Sequence, residues 1–250
     1  MPACNDGAGP LDSARSLLQT SNPVARLTRV VLPGQVHLIL QRARHQQVAF
    51  VDPIDRTRYL ADLRAAAADA AVAIHAYALI DQEVRLLVTP SATPALAGMM
   101  QSLGRRYVRG YNQRHGNSGT PWEGRFRSTV VQAPGQFMAC LLFVERPAGP
   151  SPELPHWSSL RHHLGLVHDP VVTDHAAFWS LGNTPFEREA TYRGLIDQPA
   201  RPEEVATILR AASHGWALGS IEFSRMVHEI TGRRQQPMRS GRPRKSGPLP

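Results

Sequence analysis

Cysteine is almost missing: the chain has two in 250 residues, Cys4 and Cys140. Cys4 stands in a leader without pattern and Cys140 inside an apolar run, so neither a disulfide framework nor a thiolate metal site is indicated. Lysine is scarcer still, since all but one of the 28 cations are arginine and Lys245 is the exception. Arginine suits forked phosphate contacts, although a GC-rich coding bias produces the same excess and takes the larger share of the explanation. No apolar run approaches the roughly 20 residues of a membrane span, and Met1 to Asn22 lacks the apolar core of a signal peptide. The expected compartment is a reducing cytoplasm.

What remains is a globular composition, 42% hydrophobic and 19% charged, long enough for one good core or for a domain with an extension. The net charge of +8 is uneven, because Thr231 to Pro250 holds Arg233, Arg234, Arg239, Arg242, Arg244 and Lys245 and no acid. A second excess spans Gln101 to Val130, where Arg105, Arg106, Arg109, Arg114, Arg125 and Arg127 meet only Glu123. Two separated cationic patches suit a polyanion better than a membrane.

Residues 1–25 show no sustained period and read as a loose lead-in. V-H-L-I-L at Val36 to Leu40 has strand length. Asp52-Pro53 offers an N-cap and an N1 proline, and Tyr59, Leu60, Leu63, Ala67 and Ala70 recur at helical spacing, which predicts a helix over 53–71. Val72 to Leu79, a turn at Asp81-Gln82 and Glu83 to Val88 read as a hairpin. In its second strand Val84, Leu86 and Val88 share one face, while Glu83 and Arg85 share the other. Leu96, Met99, Met100, Leu103, Tyr107 and Tyr111 mark a second helix, Arg125 to Val131 a further strand, and F-M-A-C-L-L-F-V a third helix after Pro134. The order β-α-β-β-α-β-α predicts an α+β fold of the ferredoxin-like kind: an antiparallel sheet with helices on one face and the other face free for a ligand. Pro- and Gly-rich residues 148–156 read as a linker, 157–231 as a helical extension and 232–250 as a basic tail.

Several runs together resemble the IS200-like single-tyrosine HUH transposases, in the branch of the REP-associated tyrosine transposases. They are L-T-R-V-V-L-P-G-Q-V-H-L-I-L-Q-R at 27–42, V-A-I-H-A-Y-A-L at 72–79, L-G-R-R-Y-V-R-G-Y-N-Q-R at 103–114 and W-E-G-R-F-R-S at 122–128. W-S-S at 157–159, G-W-A-L-G-S at 215–220 and G-R-P-R-K at 241–245 continue the resemblance, which covers about residues 26–245, with 26–147 as the transposase-like domain. It implies an enzyme that cleaves and rejoins single-stranded DNA beside hairpins. A tyrosine attacks the phosphodiester, and Mg²⁺ or Mn²⁺ held by a His-hydrophobe-His pair polarises the phosphate.

This sequence departs from that pattern at each chemical position. Glu83-Val84-Arg85 stands where the resemblance places the two histidines, and Phe143-Val144-Glu145-Arg146-Pro147 stands where it places the tyrosine run. Phenylalanine has no hydroxyl, and a guanidinium ligates no cation. The catalytic positions Glu83, Arg85 and Phe143 are therefore expected to be inactive, with no metal or other cofactor. Tyr107 and Tyr111 could replace the nucleophile only by leaving an apolar helix face that suits core packing. His37 and His75 read as structural histidines or as remnants of the shell around a metal, and His162, His163, His168 and His175 fit no closed metal site.

The expected DNA contacts are Arg105, Arg106, Arg109, Arg125 and Arg127, with Trp122 either stacking an unpaired base or anchoring the core. In the tail, Arg242, Arg244 and Lys245 belong to a run resembling an AT-hook, which lies in the minor groove. The expected partner is single-stranded or hairpin DNA, bound without cleavage, and the reading admits a homodimer. Two alternatives accompany it: an active transposase variant with a substitute nucleophile, and an AT-hook-anchored regulator.

Overall fold

The computed structural model describes residues 29–44, 47–146 and 157–235. The lead-in, the linker and Arg242, Arg244 and Lys245 of the tail lie outside the described residues.

Strand β1 (Val36–Arg42) is followed by helix α1 (Pro53–Ala70). The Asp52 carboxylate caps α1 by accepting from the N–H groups of Ile54 at 2.8 Å and Asp55 at 3.1 Å. Helix α1 ends at Ala71, which holds φ 51°, a left-handed conformation that Cβ disfavours. Ala71→Gly is expected to raise stability by about 0.5–1 kcal/mol, read as a higher urea midpoint.

Strands β2 (Val72–Ile80) and β3 (Glu83–Pro90) form the hairpin, helix α2 (Ala95–His115) crosses back, and β4 (Arg127–Val131) completes a four-stranded sheet. The strand order is β2-β3-β1-β4 with every neighbouring pair antiparallel. Helix α3 (Phe137–Glu145) follows, and then α4 (Leu160–His163), α5 (Ala176–Trp179), α6 (Pro185–Ile196), α7 (Pro202–His214) and α8 (Ile221–Thr231).

The alternation in β3 sorts its side chains to two cores. Val84, Leu86 and Val88 pack with Ile39 against Tyr59 and Leu63 of α1 and Leu96, Met99 and Leu103 of α2. On the opposite face Leu38, Leu40, Leu87 and Val131 pack against Cys140, Leu141 and Val144 of α3 and Ile208 and Ala211 of α7. The expectation of helices on one face and a free second face is therefore corrected. The residues of α3 are apolar all round, a pattern that requires cover on every side, and α5 to α7 supply it.

The extension also closes both open edges of the sheet. Leu79 N donates to Trp157 O at 2.8 Å and Ser159 N to Tyr77 O at 3.0 Å along β2. At the β4 edge, Leu218 N donates to Val130 O and Gln132 N to Leu218 O, both at 2.8 Å.

A buried polar knot fastens it further. The Glu145 carboxylate, 1% exposed, accepts from His163 Nδ1 at 2.7 Å, from Tyr192 OH at 2.6 Å and from Ser159 Oγ. These partners come from α4, the residue before it and α6, so one carboxylate of α3 joins three points of the extension.

Candidate nucleic-acid interface

The register of β1 with its neighbours pairs Arg42 with Glu83, and Leu40 with both Arg85 and Arg127. Paired residues share a face, so Arg42, Glu83, Arg85 and Arg127 stand together on the α3 side, where the apolar core gives way to solvent.

Glu83 sits between two guanidinium groups. Arg42 Nε donates to its Oε2 at 2.9 Å and Arg85 Nε to its Oε1 at 2.8 Å. Arg85 Nη1 also donates to the Phe143 carbonyl at 2.8 Å, and its guanidinium lies 4.5 Å from the centre of the Phe143 ring. The Glu83 and Arg85 side chains are only 13% and 15% exposed, so solvent screens this pair weakly. The strand places the pair, α3 supplies the aromatic platform, and two hydrogen bonds hold the Arg85 plane against it.

This arrangement does not fit a divalent cation. Both carboxylate oxygens of Glu83 already face a guanidinium, and Mg²⁺ or Mn²⁺ needs several oxygen ligands in place of adjacent positive charge. Among the described residues no group of three or more His, Cys, Asp or Glu side chains is arranged to hold a metal ion.

Three concavities meet at Arg42. One, of about 280 Å³, lies between the sheet, α3 and α7 and includes Glu83, Arg85, Phe143, Arg146 and Val205. A second, of about 320 Å³, is lined by Leu40, Arg42, Glu123, Gly124, Arg125 and Arg127. The third, of about 560 Å³, adds Arg44 and Gln82. Around the combined cleft stand seven arginines against Glu83, Glu123 and Glu204. Arg44, Arg125 and Arg127 are exposed and make no ion pair among the described residues. The start of β4 is fixed from below by Arg29, whose Nε and Nη2 donate to Phe126 O at 3.0 and 2.8 Å.

Of the expected contact residues, Arg125 and Arg127 lie in this cleft. Arg105, Arg106 and Arg109 do not join them: they are exposed on α2, which packs on the other side of the sheet, and Arg106 is paired with Asp69 at 2.8 Å. Arg114 is taken up by Asp52 and Asp55. Trp122 is corrected from a base-stacking candidate to a core anchor: it is 4% exposed, with its ring edge-on to Phe50 and 6.0 Å from Tyr107. Arg42, Arg44, Arg146 and Arg201 escape a reading of the charge-dense segments alone. The signal for Arg42 and Arg44 was the Q-R-A-R run that ends the β1 pattern.

The tyrosines of α2 pack in the core on the side of the sheet away from the cleft. Tyr107 is buried, donates to the Ala49 carbonyl and has its hydroxyl pKa pushed up by burial; burial raises that of Tyr111 as well. The thiol of Cys140 is likewise pushed up to about 12 by burial.

His37 and His75 are structural. His37 Nδ1 donates to Gln35 O at 2.7 Å and its Nε2 accepts from Leu32 N at 3.3 Å. His75 Nδ1 donates to Thr173 O and Nε2 accepts from Thr89 Oγ1, both at 2.8 Å. Burial lowers both pKa values from 6.5 to about 4. The neutral forms belong to the folded state, so stability is full above pH 6.5 and falls as pH drops from 6.5 towards 4, while the unfolded chain takes up protons that the folded chain refuses. Each histidine contributes a slope of roughly 1.4 kcal/mol per pH unit in that window. Urea midpoints are expected to decline between pH 6.5 and 5, and a flat profile there would contradict buried neutral imidazoles.

No protein-family model matches the chain, and no curated protein matches it. Among solved structures it is similar to one described as a REP-associated tyrosine transposase bound to a REP hairpin, with 11% identity and a TM-score of 0.49, over 61% of this chain and 96% of that one. No helix among the described residues is long and apolar enough to cross a membrane.

Proposed function

We propose that the protein is a DNA-binding relative of the REP-associated tyrosine transposases that holds single-stranded or hairpin DNA without cutting it. The observation that carries this reading is the arginine-lined cleft around the Arg42–Glu83–Arg85 cluster, set against the ring of Phe143. Phosphate oxygens match guanidinium forks, and Arg44, Arg125 and Arg127 supply charge that no acid pairs with among the described residues. The reading without cleavage rests on two positions: Phe143 offers no nucleophile, and Glu83 is committed to two arginines.

The reading takes the strand order β2-β3-β1-β4 as that of a ferredoxin-like unit over residues 26–147, followed by a linker at 148–156, an extension at 157–231 and a basic tail at 232–250. It places the protein in the cytoplasm, with the AT-hook-like tail as a second, sequence-tolerant contact.

The test is to incubate the purified protein with labelled hairpin and single-stranded DNA in Mg²⁺ or Mn²⁺. Salt-dependent retention without a covalent protein–DNA adduct is expected. An adduct would show that cleavage persists, and no salt-dependent affinity would remove the DNA-binding reading. Truncation after Gln235 separates the two contacts, because it removes Arg239, Arg242, Arg244 and Lys245 and keeps Gln235, which accepts from Ala217 N at 2.6 Å. The truncated protein is expected to keep most of its affinity for hairpins and to lose affinity for duplex DNA.

A further inference from the structure

The 280 Å³ cavity between α3 and α7 is more than a stretch of the charged cleft. Its inner wall is apolar, made by Ala139, Leu142 and Phe143 from α3 and by Val205, Ile208 and Leu209 from α7. Its mouth is charged, with Arg42, Arg85 and Arg201 alongside Glu83 and Glu204. A site that only tracked a phosphate backbone would be polar throughout. An apolar wall beside a few charged groups is the pattern of a small-molecule pocket, and the volume falls just below the ~300–1,000 Å³ such pockets span. It is too small for a base pair.

The geometry points to a pocket for one unpaired nucleotide, its base inserted between α3 and α7 and its phosphate held by Arg42 and Arg85. Two features favour a nucleotide over an apolar ligand. The Arg42 and Arg85 guanidiniums are tied to Glu83 through Nε alone, and among the described residues both Nη groups of Arg42 and Nη2 of Arg85 make no hydrogen bond, which suits a phosphate oxygen. Glu204, which accepts from Arg201 Nη1 at 3.3 Å through Oε1, lines the same cavity and supplies a carboxylate acceptor of the kind that receives an exocyclic amine of a base. The flat guanidinium of Arg85, already stacked on Phe143, is a surface on which a heterocycle stacks. The same cavity also gives α7 a role: the extension supplies half of the pocket wall.

This inference rests on the DNA-binding reading, and the nucleotide has two sources, an unpaired position of a DNA strand or a free mononucleotide. The experiment uses the full-length protein and a hairpin with a short single-stranded 5′ overhang. Each overhang position is replaced in turn by 2-aminopurine and by an abasic residue, and 5′-mononucleotides are titrated in parallel. At one position the abasic substitution is expected to weaken binding on the order of tenfold, and 2-aminopurine there is expected to change its emission on binding. The abasic penalty should vanish in Val205→Trp, which fills the cavity, and in Ala200→Trp, which fills it from the connection before α7, should the first variant fold poorly. If mononucleotides bind and no abasic position matters, the pocket stands and its source is the free nucleotide. If neither effect occurs, the inference is overturned; salt-dependent binding of hairpins would in that case leave the DNA-binding reading intact. Should no DNA bind at all, the mononucleotide titration alone decides the pocket.

Discussion

The double charge reversal Arg125→Glu and Arg127→Glu is expected to weaken hairpin and single-strand binding on the order of a hundredfold at low salt, and to flatten its salt dependence. Each phosphate contact contributes about −0.7 to −0.9 to the slope of log affinity against log salt concentration. Loss of two contacts should therefore reduce the slope by about 1.5, and the added acids repel the neighbouring phosphates. Arg125 and Arg127 are exposed in the cleft and make no ion pair among the described residues, so the reversal breaks no such pair. The comparison variant is Arg105→Glu with Arg109→Glu on α2, which changes the net charge equally on the opposite side of the sheet and is expected to cost less than a third as much on the logarithmic scale. Fluorescence anisotropy across a salt series checks both. Equal losses would mean that net charge, rather than the cleft, governs binding.

Glu145→Ala is expected to be the most destabilising single change within the described core, costing about 3–5 kcal/mol in urea unfolding. Its carboxylate is the common acceptor for His163, Tyr192 and Ser159, and the His163 and Glu145 side chains are 1% and 0% exposed. Removal leaves the buried His163 and Tyr192 without this acceptor, while Ser159 Oγ keeps Tyr77 O at 3.3 Å, and each unpaired group costs on the order of 1–3 kcal/mol. Glu145→Gln keeps one acceptor and should cost less, which separates the loss of hydrogen bonds from that of charge. Because the knot joins α3 to the extension, residues 157–214 are expected to gain hydrogen exchange more than α1 does. A loss below about 1 kcal/mol would mean that the surroundings relax enough to rehydrate these groups.

The elements that local chemistry specifies were the ones legible in the sequence. The Asp52 cap and the proline after it located α1, and the alternation of β3 correctly put Glu83 and Arg85 on the face opposite Val84, Leu86 and Val88. The cover over the second face was not legible, because it depends on which segment beyond the linker returns, and periodicity carries no long-range address. The same limit put the α2 arginines into one set of contacts with Arg125 and Arg127: the sequence shows spacing, while the side of the sheet on which a helix lies follows from the crossover. Trp122 stood between two basic runs and read equally well as a stacking surface or an anchor. Its burial comes from Phe50, Tyr59 and Tyr107, which are distant in the chain.

The closure of both sheet edges by the extension has a consequence for synthesis. When residues 36–145 have left the ribosome, all four strands exist, yet the outer N–H and C=O groups of β2 and β4 still await residues 157–159 and 218. For the time needed to make about seventy more residues, at roughly 5–20 per second, the nascent chain presents two unpaired strand borders. Chains stalled or cleaved in that interval are expected to self-associate through those borders, so the extension doubles as the segment that ends the risk.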